Sequence, residues 1–145
     1  MNIFDQKIPG ISNQFRDLPL EKRRAVTAKA CELVSRSIDD LEPALHELLK
    51  SAVHKNMLSH QQVEDALRYA AAADKQYFRL KEQGADKFTW RNWFAKARLA
   101  TALADGFGST TSDKAVAAIY ELCFVEEDES AVVELVQSEL KSQHL

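Results

Sequence analysis

Residues 89–106 read TWRNWFAKARLATALADG. On a helix of 3.6 residues per turn, Trp90, Trp93, Phe94, Ala97, Ala100, Thr101 and Ala104 share one face. Leu99 and Leu103, with Phe107 just beyond, lie on the far side. A helix that is apolar on two sides has to be covered on both. The stretch 89–106 is therefore expected to be the central helix of an all-α fold, a helical bundle or orthogonal array.

Working outward, the segment before it carries the clearest start signal in the chain. Ser59 followed by Gln62 is the pattern of a capping box, and Gly84 suits a left-handed stop. Between them Val63, Leu67, Ala70, Tyr77 and Phe78 mark the expected core face of a long helix. Further upstream, a helix capped near Asp39 or Asp40, with Pro43 in its first turn, carries Leu41, Leu45, Leu48, Leu49 and Ala52 on one stripe. Another begins around Pro19 and carries Val26, Ala30, Leu33, Val34 and Ile38. Residues 1–16 read as a mostly irregular lead-in that turns at Pro9-Gly10, with at most a helical turn near Asn13–Arg16. Downstream, the link Ser109–Ser112 precedes a helix with Val116, Ile119, Tyr120 and Cys123. The acidic stretch Glu126–Glu129 breaks the pattern, and a last helix holds Val132, Val133, Val136 and Leu140. That makes about six helices in one domain spanning 1–145. No segment alternates as a strand would.

The bulk composition agrees. With 46% hydrophobic and 28% charged residues over 145 positions, the chain has the balance of a globular domain rather than a disordered one. No apolar run approaches the length of a membrane span, and the first ten residues lack the apolar core of a secretory signal. Cys31 and Cys123 both fall on apolar helical faces, which suits reduced thiols and a cytoplasmic location.

Charge is segregated along the chain. Residues 1–112 hold 17 Lys and Arg against 14 Asp and Glu, whereas residues 113–145 hold 2 against 8. Glu121, Glu126, Glu127, Asp128, Glu129 and Glu134 are accordingly candidates for an acidic surface that meets a basic partner protein. The opposite bias occurs over residues 74–98. Lys75, Arg79, Lys81, Lys87, Arg91, Lys96 and Arg98 there outnumber Asp74, Glu82 and Asp86, among interleaved aromatics.

One residue breaks its own helix's pattern. Asp74 projects from the middle of the apolar face of the 59–84 helix, so it should be buried and paired. Arg98 is the first candidate partner and Arg91 the second. The pair serves either as a strut between two helices or as an anchor for a ligand, and the strut is the expectation because no nucleophile or metal set accompanies it. His46-Glu47 begins like a zinc-protease helix, but Lys50 stands where the second imidazole belongs. Gly106–Ser112 lacks both the preceding strand and the lysine of a phosphate-binding loop. No cofactor or metal is expected, and no catalytic residue is assigned.

Three function classes fit these features. The first is a non-enzymatic, cytosolic protein-binding module, for instance an immunity- or antitoxin-like neutraliser that uses the acidic surface. The second is a nucleic-acid-associated regulator that uses the basic 75–98 region. The third is a small-ligand binder or helical enzyme built on Asp74 and Arg98. A homo-oligomer is compatible with any of them.

Overall fold

The computed structural model describes residue 6 and residues 9–125 and 128–142. These form seven helices and no strand: α1 (Ile11–Arg16), α2 (Leu20–Ser35), α3 (Pro43–Lys55), α4 (His60–Glu82), α5 (Lys87–Phe107), α6 (Ser112–Cys123) and α7 (Glu129–Ser142). The central position of the 89–106 segment holds. From Ala95 to Phe107, α5 buries residues on every side, and it packs against α2, α3, α4 and α6. Leu99, Leu103 and Phe107 meet Phe15, Leu45, Ile119 and Leu122 in one continuous core.

Helix starts follow the side chains that satisfy their first amides. The capping box at Ser59 and Gln62 is present. Asp86 accepts from the Thr89 amide, so α5 begins at Lys87, two residues before Thr89. Thr111 accepts from the Lys114 amide at the start of α6. Neither Asp39 nor Asp40 caps α3, whose N-cap is Glu42 with Pro43 in the first turn. The reason is tertiary. The Asn92 side chain both accepts from the Asp39 amide (2.7 Å) and donates to the Asp39 carbonyl (2.6 Å). This clamp holds residue 39 outside the helix, and Asp40 takes a left-handed φ of 56°.

Two further expectations are corrected. The helix near Asn13–Arg16 is longer than a single turn, since α1 starts at Ile11 and buries Ile11, Ser12 and Phe15, while residues 1–5, 7 and 8 of the lead-in lie outside the described residues. The guanidinium of Arg23 donates to the carbonyls of Arg16 (3.3 Å) and Leu18 (2.7 Å) at its end, and also to that of Thr110 (3.1 Å). Beside it, Arg24 donates to the Ser109 carbonyl. The core face of α4 is also rotated: Ala66, Ala70 and Ala73 are buried, while Leu67 and Phe78 are exposed. A stripe of alanines lets α4 and α5 approach closely, and the bulkier side chains are left outside the seam.

Both cysteines are buried and unpaired with each other. Burial pushes the Cys123 thiol up to about 12, with Glu129 adding to the shift, and raises Cys31 further. Both are inert thiols at neutral pH. No helix among the described residues is long and apolar enough to cross a membrane.

Asp105, near the end of α5, offers a pH test of this packing. Burial raises its carboxyl pKa above 3.8, against the opposing pull of Lys114 at 3.7 Å. A carboxyl raised on folding stabilises the fold below its unfolded pKa and loses that contribution as pH climbs through its folded value. Asp105→Asn is therefore expected to match or exceed the wild-type stability at pH 7, and to lose that advantage towards pH 3.8 and below. Urea denaturation at the two pH values checks it. A variant less stable at pH 7 would mean that the Lys114 pair outweighs desolvation.

Candidate functional site

Asp74 and Arg98 do meet. On α5, Arg98 donates through Nη2 to both Asp74 oxygens, at 3.1 and 2.8 Å. Its Nη1 donates to Glu121 of α6 at 2.8 Å, and its guanidinium carbon lies 5.3 Å from the Phe94 ring centroid. One cation thus joins three helices. The Asp74 side chain is 33% exposed, so it is half-buried rather than buried. Arg91 is not its partner and lines the cleft described below.

The expected acidic surface is divided. Glu121 faces Arg98, and Asp128 is buried and accepts from Ser37 Oγ at 2.5 Å. Glu129 is partly covered, whereas Glu134 is exposed. Glu126 and Glu127 lie outside the described residues. Charge counts see each carboxylate as solvated. They miss Arg98 and Ser37, which are remote in sequence.

The basic 74–98 region is rearranged as well. Lys96 is buried, with Nζ 4.1 Å from the Trp93 ring centroid and 3.6 Å from Glu42. Glu42 in turn accepts from the Tyr69 hydroxyl at 2.5 Å. Burial raises the Tyr69 pKa, and the bond to Glu42 adds to it, so the phenol stays protonated. Ala72, Ala73 and Gln76 complete a shallow depression beside Glu42, Tyr69 and Trp93. These groups stitch α3 and α4 onto α5 and neutralise one another.

What remains open is a cleft of ≈ 420 Å³ between the C-terminal part of α4 and the N-terminal part of α5, bounded by the turn after α6. Tyr77 is its hinge. Its ring lies 4.8 Å from Phe78, 5.7 Å from Trp90 and 5.2 Å from Phe94, each at a tilt. Such tilted contacts favour the ring quadrupoles and fix the wall. Phe88 and Phe124 edge the cleft and are 66% and 41% exposed. Lys81, Lys87 and Arg91 supply its charge, and no carboxylate among the described residues lines it. Asn92 and Ser37 line it too, so the Asp39 clamp and the Asp128 bond both hold its edge.

Trp90 and Phe94 read as core from their period, yet both are only half-buried. Helical spacing shows which residues share a face but not whether a neighbour is long enough to cover it. The available signal was the coincidence of those aromatics with the excess of lysine and arginine. Among the described residues no group of three or more His, Cys, Asp or Glu side chains is arranged to hold a metal ion. No protein family, no curated protein and no solved structure matches the chain.

Proposed function

We propose that this protein is a non-enzymatic binding module that recognises a partner protein through the cleft between α4 and α5. The observation that carries this reading is a lining with three cations, exposed aromatic rings and, among the described residues, no carboxylate. Tyr, Trp and Arg dominate the residues that hold protein interfaces together, and a pocket of this volume accepts one large side chain. The fitting partner is an acidic segment with an aromatic or aliphatic anchor. The working surface therefore moves from the acidic C-terminal helices to the basic cleft. A neutraliser role stays within this class, with the charge complementarity reversed.

The nucleic-acid reading uses the same residues and is weaker. Glu82 and Asp86 flank Lys81 and Lys87 in sequence, and the whole chain carries −3. A phosphate backbone needs a continuous basic track, whereas three cations around one pocket suit a single short ligand.

A peptide-display selection against the intact chain tests the proposal. Enrichment of sequences with an aromatic or aliphatic residue beside Asp or Glu is expected. The double substitution Lys87→Glu with Phe88→Ala touches only exposed side chains and should leave the melting temperature in place. It should weaken the selected peptides at least about tenfold, as loss of an interface anchor does. No enrichment, or binding indifferent to these substitutions, would sink the reading. Preferential capture of single-stranded oligonucleotides by the wild type would transfer it to the nucleic-acid class.

A further inference from the structure

We propose that Lys81 sets the charge preference of the cleft by occupying its aromatic wall until an acidic aromatic group replaces it. The inference rests on the cleft being the working surface. Lys81 lies one helical turn beyond Tyr77, so α4 itself stacks the two side chains. Its Nζ sits 5.6 Å from the Tyr77 ring centroid and 5.1 Å from that of Trp90, and 3.4 Å from the Tyr77 hydroxyl.

Two cations thus cover this aromatic cluster, and they differ in freedom. Arg98, over Phe94, is held by Asp74 and Glu121 and cannot leave without stranding two carboxylates. Lys81 is exposed, and no carboxylate of the described residues pairs with it. It also stands in the last turn of α4, where the helix dipole favours a cation. Its four-carbon stem can swing without disturbing the fold.

The consequence for ligands follows from electrostatics. An incoming ammonium meets ring faces that already carry a cation, together with the like charge of that cation. An aromatic ring with a carboxylate one or two bonds away meets neither obstacle. Its ring takes the ammonium's place against Trp90 and Tyr77, and its carboxylate keeps the displaced ammonium as a partner. The order of affinity is aromatic acid, then neutral aromatic, then aromatic ammonium.

The test uses the intact chain and three small probes of one shape: phenylacetate, 2-phenylethanol and phenethylammonium. Binding is read from the indole N–H resonance of Trp90 during NMR titration. Phenylacetate is expected to bind the wild type roughly threefold to tenfold more tightly than phenethylammonium, the scale of one exposed charge contact plus one cation–π contact. Lys81→Met should bring the ratio to about one or invert it, since the bared rings then accept the ammonium. Lys81→Arg should keep the wild-type order. A ratio unchanged in Lys81→Met overturns the inference while leaving the cleft reading intact, and assigns the preference to Lys87 and Arg91. Tighter binding of phenethylammonium by the wild type also overturns it. If no probe moves the Trp90 resonance, the cleft reading fails and the inference falls with it.

Discussion

Arg98→Met is expected to lower the unfolding free energy by about 2–3 kcal/mol and the melting temperature by roughly 5–10 °C. The side chain is 18% exposed, and its removal leaves the carboxylates of Asp74 and Glu121 facing each other without a cation. Stranding a fully buried charge costs about 3–5 kcal/mol. The 33% and 21% exposure of the two carboxylates lowers that figure. The third partner also changes what each smaller deletion does. Removing only Asp74 leaves Arg98 paired with Glu121 and should cost about 1 kcal/mol, close to a half-exposed pair. Removing Asp74 and Arg98 together recovers little, because Glu121 then stands alone. Full recovery requires Glu121→Gln as well, so the three residues should be strongly non-additive in urea denaturation. Arg98→Met within about 0.5 kcal/mol of wild type would mean that the triad is solvated and adds nothing to the helix seam.

Gly108→Ala is the second large effect, at about 2–3 kcal/mol of destabilisation. A Cβ built there would lie 2.4 Å from Val63 Cγ2 and 2.7 Å from the Ala104 carbonyl oxygen. The second contact is with backbone that caps α5, since the Gly108 amide donates to that same carbonyl. The helix end would have to move, and with it Phe107, whose carbonyl accepts from the Leu58 amide. Gly84→Ala makes the contrast. No atom lies within 4 Å of its added Cβ, but φ is +75°, so only about 1 kcal/mol of backbone strain is expected. Thermal denaturation of the two variants side by side checks the ranking. Equal small losses would show that α4 shifts freely away from the end of α5.

The α5 core, the Ser59 cap and the Asp74–Arg98 pair were legible because period and capping chemistry are local properties. Glu121 as a third partner was not, since its meeting with Arg98 depends on how α6 docks on α5. The seam of α4 was misread for a related reason. Large apolar residues dominate a periodicity count, but close helix packing selected Ala66, Ala70 and Ala73 and left Leu67 and Phe78 outside. The cleft was half visible, as aromatics and cations in one stretch. Its openness depends on α4 and α5 projecting together past the helices that cover the rest of α5.

The guanidinium of Arg23 gives the molecule a lock between distant parts of its chain. Its bonds to the carbonyls of Arg16, Leu18 and Thr110 cross a sequence separation of 87 residues. Detachment of either α1 or the 109–111 loop takes acceptors away from the same buried guanidinium. The two are therefore expected to open together in amide hydrogen exchange, separately from the cleft, which lies towards the other end of α5. If the cleft binds as proposed, ligand exchange there is expected to leave that lock closed.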